Sequence, residues 1–301
     1  MTNSTDSNDT PGLLLGVYLA EACVIVIVNS LALAVFLKKK FRAKKSTYLL
    51  VNLTVADLMV GFTTIFRTMK KLTGVDFKLF DIICLLINYI SVSASLFSFT
   101  AIAMERAYAI LKPLKHRLLR KKTYFIGIVI IWKAAVFIDI AKILQLAKDI
   151  HGIEYRILLA IKISFGLFLL VIVFSCYLAI WIKVKLAKPL PNQRPANNNN
   201  NRLTSTLFTV TFVSLICFIP IGITRLGEVF NRDGIFKSLF PLAAAMIYGN
   251  SFINFIIYSS RMPEFRKELR TIIKKCCYEQ QVQENVPSSF LQNSEGRGQS
   301  P

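Results

Sequence analysis

Asp57 is a carboxylate inside the apolar run Thr47–Thr68. An ionised carboxylate is costly in a low-dielectric surrounding and needs compensation. Side chains able to supply it recur at helical intervals. Asn88, Ser91, Ser95 and Ser98 would share one face of a helix. Asn250, Asn254 and Tyr258 are spaced four apart, with Ser251 beside the first. Neutral oxygens of this kind, together with a carboxylate, suit a hard cation. A closed polar network around a protonated Asp57 would use the same residues. A second charged pair, Glu105 and Arg106, lies near the end of the run Ile82–Leu111. On its own it reads as two charges reaching from a helix end to a membrane surface. Three further cations, Arg67, Lys162 and Arg225, lie in or beside other apolar runs and would favour an anionic ligand if they faced one cavity. Glu21 and Glu228 could equally neutralise them. Lys133 sits inside a run with no partner that the sequence identifies.

None of this is enzyme chemistry. His116 and His151 have no zinc-ligand spacing with the six cysteines. There is no phosphate loop and no nucleophile placed beside a base. Neither an enzymatic activity nor a catalytic cofactor is expected.

The elements that must position these residues are membrane-spanning helices. The chain has 301 residues, of which 54% are hydrophobic, and a mean hydropathy of +0.51. A helix crossing a hydrocarbon core of ~30 Å needs ~20 apolar residues. Seven runs qualify: Leu13–Leu37, Thr47–Thr68, Ile82–Leu111, Tyr124–Leu146, Ile157–Ile182, Leu203–Ile223 and Ser238–Tyr258. The fourth carries Lys133, Asp139 and Lys142 and has the weakest pattern.

The net charge of +20 would suggest nucleic-acid binding in a soluble chain. Here most of the 37 lysines and arginines fall in alternate connections and just after the last run. That bias marks the cytoplasmic side. It places the amino terminus outside and the carboxyl terminus inside, with no nucleic-acid partner. No cleavable leader is expected, because Met1–Thr10 has no positive charge. Asn3 and Asn8 head two glycosylation sequons on the outer side. Cys84 lies near the outer surface without an obvious extracellular partner.

The division expected is an extracellular, glycosylated 1–12, a seven-helix bundle over 13–259, an amphipathic helix over 260–277 and a disordered cytoplasmic tail over 278–301. The amphipathic helix has Met262, Phe265, Leu269, Ile272 and Ile273 on one face and Arg266, Lys267, Arg270, Lys274 and Lys275 mostly on the other. It suits the inner membrane interface, basic face toward anionic lipid. Cys276 and Cys277 at its end are palmitoylation candidates. Lys188 to Asn201, rich in proline and asparagine, reads as a flexible linker.

Several polar residues stand in a familiar order. They are Asn29 in Val28-Asn29-Ser30-Leu31, Asp57 in Leu53-Thr54-Val55-Ala56-Asp57, and Glu105-Arg106-Ala107 followed by Pro113. Trp132, Tyr177, Cys217-Phe218-Ile219-Pro220, Asn254-Phe255-Ile256-Ile257-Tyr258 and Phe265 come next. In type and order, from about Val28 to Cys277, they resemble the motifs of rhodopsin-like (class A) G-protein-coupled receptors. The departures are Ala107 for an aromatic, Phe218 for tryptophan, Phe255 for proline and a fifth span without proline. Asp81 stands where the family keeps the third-span cysteine of its extracellular disulfide. Melanocortin, cannabinoid and lysophospholipid receptors are similar in lacking that disulfide and the fifth-span proline, so the chain is placed near them and the adenosine-type receptors.

The resemblance implies an all-α membrane protein, a seven-transmembrane-helix bundle with a short eighth helix, in the plasma membrane. It implies a sodium pocket at Asp57, Ser95, Asn250, Ser251 and Asn254, the ion acting allosterically. It implies a latch in which Arg106 is held by Glu105 at rest, then turns toward a heterotrimeric G protein and toward Tyr177 and Tyr258. Pro113, the apolar knob Leu114, and Phe218 and Pro220 of the sixth helix belong to that switch. Asn88 replaces the aspartate of amine receptors and Tyr248 the retinal-binding lysine, which excludes a biogenic amine and an opsin. The expected ligand is a small molecule or peptide. With Arg67, Lys162 and Arg225 near Asn88 and Tyr248, an anionic lipid or acidic peptide is favoured. The competing class is a small transporter or channel, which should show internal repeats or broken helices.

Overall fold

The computed structural model describes residues 12–74, 78–140, 142–144, 153–186, 196–230 and 233–284. Among these residues the ordered structure is helical, and the fold is the all-α seven-helix bundle. Six helices are long and apolar enough to cross a membrane: Gly12–Phe36, Thr47–Thr73, Lys78–Leu111, Ile153–Lys183, Thr211–Val229 and Ser238–Arg261. They are the first, second, third, fifth, sixth and seventh spans. Lys121–Ile138 is the fourth, 18 residues that include Lys121, Lys122 and Lys133. Two short helices, Lys39–Arg42 and Pro113–Leu118, fill inner connections. The tail helix is Pro263–Glu284.

Several boundaries differ from the sequence reading. The third helix spans 34 residues, about 51 Å at ~1.5 Å per residue, so it projects beyond the hydrocarbon. The helix containing the sixth span begins at Ala196, so Asn197–Asn201 continue a helix rather than form a linker. Propagation from an established helix adds one bond per residue fixed, which outweighs the modest helix penalty of asparagine. The tail helix likewise continues past Cys277 into the stretch expected to be disordered. Asn3 and Asn8 lie outside the described residues, as do the side chains of Cys276 and Cys277.

Small residues set the close contacts. A Cβ built on Gly61 would lie 2.9 Å from Ile25 Cγ2 and from Val26 Cγ2, so the first and second spans approach closely there, as small residues permit in membranes. The second span ends on Gly74, left-handed at φ 68°, whose N–H caps Lys70 O. At the inner end, Phe36, Phe41, Tyr258 and Phe265 are fully buried together. Ring centroids are 5.3 Å apart for Phe36–Phe265 and 5.4 Å for Phe36–Tyr258. Phe255, in place of the family's proline, meets Phe265 edge-on at 5.8 Å. This clamp fixes the tail helix under the first and seventh spans.

Candidate functional site

At the inner end, Glu105 and Arg106 are almost fully buried, with side-chain exposures of 8% and 7%. Arg106 Nη2 lies 2.5 Å from Glu105 Oε2. Three other groups reach the second carboxylate oxygen, Oε1. Ser46 Oγ donates at 3.0 Å, His116 Nε2 lies at 2.8 Å and Tyr124 OH donates at 3.2 Å. Arg106 also donates to Ser46 Oγ. The pair is therefore no exposed snorkelling couple but a closed cluster drawing on the second, third and fourth spans. Pro113 opens the short helix Pro113–Leu118, a position where its missing N–H costs nothing, and that turn carries His116 back to Glu105. Leu114 is 75% exposed. Tyr177 is bonded to Thr211 Oγ1 at 2.9 Å. Tyr258 OH is buried without a hydrogen-bond partner among the described residues.

At mid-depth Asp57 is fully buried. Ser95 Oγ and Ser251 Oγ donate to its Oδ1 at 2.8 and 3.1 Å, and Asn254 Nδ2 donates to its Oδ2 at 3.0 Å. Three of the four sequence-predicted partners thus meet the carboxylate. Asn250 does not bond it among the described residues, and its Oδ1, like Asn254 Oδ1 and Ser91 Oγ, is buried without a partner among them. Those orphaned acceptors are what a cation would use. Ser98 belongs to a neighbouring chain of bonds instead, in which Trp132 Nε1 donates to Asn52 Oδ1 at 2.9 Å and Asn52 Nδ2 to Ser98 Oγ at 2.8 Å. Pro220 lies inside the sixth helix. Phe218 packs against the main core.

At the outer end each predicted cation has a carboxylate. Arg67 Nε lies 3.5 Å from Asp81, which also faces Lys70 at 3.5 Å. Lys162 pairs with Asp139, and Asp139 accepts from Ser93 Oγ at 2.6 Å. Arg225 Nη1 bonds both oxygens of Glu228 at 2.8 and 2.9 Å. So the neutralising partners are Asp81, Asp139 and Glu228, not Glu21. Tyr89, absent from the sequence reading, joins two of the three: Arg225 Nη2 donates to its hydroxyl at 3.0 Å and Lys162 Nζ sits 5.5 Å from its ring centre. Asn88 donates to Thr63 and Thr64 at 3.0 and 3.3 Å. Tyr248 bonds the same Thr64 and meets Tyr18 edge-on at 5.9 Å. Cys84 is a buried free thiol.

His116, Tyr89 and Asp81 were missed as site residues. Proline placement hinted at the first. The other two carry no local motif.

The family model described as 7 transmembrane receptor (rhodopsin family) covers residues 28–258. Among curated proteins, the melatonin receptor type 1A of Ovis aries is 29% identical over 280 residues, 84% of this chain and 75% of the relative. The QRFP-like peptide receptor of Branchiostoma floridae is 23% identical over 278 residues, 82% of this chain and 73% of the relative. Neither is a melanocortin, cannabinoid, lysophospholipid or adenosine receptor by name, so that narrower likeness rests on the absent disulfide motif and fifth-span proline.

Proposed function

The chain belongs to the rhodopsin family of seven-transmembrane receptors, multi-pass G-protein-coupled receptors of the cell membrane, and from that premise we propose that release of the Glu105–Arg106 cluster is its activating step. The observation that carries this is the four-way hold on Glu105 by Arg106, Ser46, His116 and Tyr124. A buried cluster of this kind has discrete made and broken states, and a ligand shifts their populations by its differential affinity. In the broken state Arg106 and the exposed Leu114 face a heterotrimeric G protein. The amino terminus lies outside, as the charge bias of the connections supports.

The ligand meets the outer cluster of Tyr89, Lys162, Arg225 and Tyr248. Both relatives are receptors, one named for melatonin and one for a peptide, so their names do not choose a class. The pairing of Arg225 with Glu228, three residues away on one helix, is a bond that a ligand carboxylate or phosphate can take over. We assign an anionic ligand to it on that ground. Asp57 with Ser95, Asn250, Ser251 and Asn254 is the sodium site of the resting state, supported by the buried amide oxygens left unpaired there.

The test is ligand-independent G-protein activation in cells. Glu105→Gln weakens the hold on Arg106 and should raise it. Arg106→Ala should abolish coupling at unchanged surface expression. Normal signalling by Arg106→Ala would remove the proposal's central residue.

A further inference from the structure

Lys133 is exposed on the outer surface of the bundle. It lies twelve residues into the fourth span, about 18 Å from Lys121 at ~1.5 Å per residue, so it stands near the middle of a core ~30 Å thick. Its neighbours one turn away on the same helix are Val129, Ile130, Val136 and Phe137, all apolar and all exposed. No hydrogen bond, ion pair or ring contact engages it among the described residues. Side chains lean toward the start of their helix, which for this span is the inner end, and the stem of one lysine does not cover the distance to Lys121. An ionisable residue at such a depth faces a bundle interior or pairs with an opposite charge. Lys133 does neither within this chain.

The other intramembrane charges explain why. Asp57 is buried in its own network, Glu21 turns to Gly249 of the seventh span with its Oε2 buried, Asp139 faces inward to Lys162 and Glu228 is held by Arg225. A second copy of this chain therefore offers no lipid-facing carboxylate at that depth among the described residues. Two copies joined through this face would oppose lysine to lysine.

We propose that the lipid-facing surface of the fourth span around Lys133 docks a membrane-spanning helix of a different protein, one that presents an aspartate or glutamate at mid-bilayer. The exposed Val129, Ile130, Val136 and Phe137 supply the packing surface, and the ion pair supplies depth register and selectivity. Lys133 lies on the same helix as Tyr124 of the Glu105 cluster, about 13 Å along it at ~1.5 Å per residue, and touches none of that cluster's groups, so the partner adds to the receptor rather than completing its switch.

The test uses the full chain and designed single-span probes made of leucine and alanine with one central Glu, Gln or Leu. Association is followed by resonance energy transfer in cell membranes. The Glu probe should bind the parent about tenfold more tightly than the Leu probe does. Lys133→Leu should erase that difference while basal signalling and surface level stay at the parent's values, and Lys133→Arg should preserve it. Equal binding of Glu and Leu probes overturns the proposal, and so does a Glu preference that survives Lys133→Leu. Two other results also overturn it by naming another occupant. One is self-association of the chain that falls with Lys133→Leu. The other is Lys133-dependent enrichment of anionic lipid around the chain without any probe preference.

Discussion

Glu105 and His116 show what a single residue adds to the switch. Glu105 Oε1 receives three groups, and His116 is brought by the short helix Pro113–Leu118 of an inner connection. A net hydrogen bond is worth about 1 kcal/mol, roughly fivefold in a two-state ratio. His116→Ala should therefore raise ligand-independent nucleotide exchange by about that factor, less than Glu105→Gln, with His116→Gln restoring the parent level through its amide donor. Unchanged basal exchange in His116→Ala would mean that Ser46 and Tyr124 hold Glu105 without it. Adjacent charges made Glu105 and Arg106 legible in the sequence. His116 was not legible, because its place depends on a turn set by Pro113 and on tertiary docking against the fourth span. Similarly, helical spacing put Ser95, Ser251 and Asn254 among the candidates for Asp57 and the family resemblance singled them out, whereas Asp139 could not be matched to Lys162 before the fourth and fifth spans were placed side by side.

At the scale of elements, the tail helix is held by two different devices. Phe265 is fully buried against Phe36, Phe255 and Tyr258. Lys44 pairs with Glu264 at the surface. Truncating a buried aromatic costs about 3–5 kcal/mol, while an exposed ion pair is worth about 0–1 kcal/mol. Phe265→Ala should lower the melting temperature of purified protein far more than Lys44→Ala, and equal losses would refute that ranking. The pair also has a pH signature. The hydrogen bond from Lys44 holds the Glu264 carboxyl below the usual carboxylate range. A depressed value stabilises above the unfolded-state pKa and loses that contribution as pH falls through the folded one. The small gap between parent and Lys44→Ala should persist at neutral pH and close only in strong acid. The seven spans and the amphipathic face of this helix were legible from apolar runs and spacing. Their ends were not, because Ala196–Asn201 and the residues after Cys277 are polar and their helicity is inherited from the segments they extend.

For the whole molecule, Asp57 lies at mid-depth between the outer tyrosine and cation cluster and the inner Glu105 cluster, so under the proposed function it is the place where the two ends are coupled. Ser95 comes from the third span, Ser251 and Asn254 from the seventh, so any motion of these helices changes the carboxylate's surroundings. A cation bound there by Asp57 and the unpaired amide oxygens stabilises whichever arrangement forms the site. Because linkage is reciprocal, sodium should weaken agonist binding by the factor by which agonist weakens sodium binding. Before any agonist is known, the purified protein can decide. Sodium should raise the melting temperature relative to potassium at equal ionic strength in the parent. Asp57→Asn keeps the side chain's size, removes the charge and should abolish the difference. Asn250→Ala tests the ligand set separately: Asn250 leaves its Oδ1 buried without a partner among the described residues, so whatever truncating this buried side chain does to the potassium melting temperature, the sodium increment above it should shrink. A parent without any sodium-specific shift would identify Asp57 as a protonated member of a closed network, and the coupling between the two ends would then have to pass through Ser95, Ser251 and Asn254 without an ion.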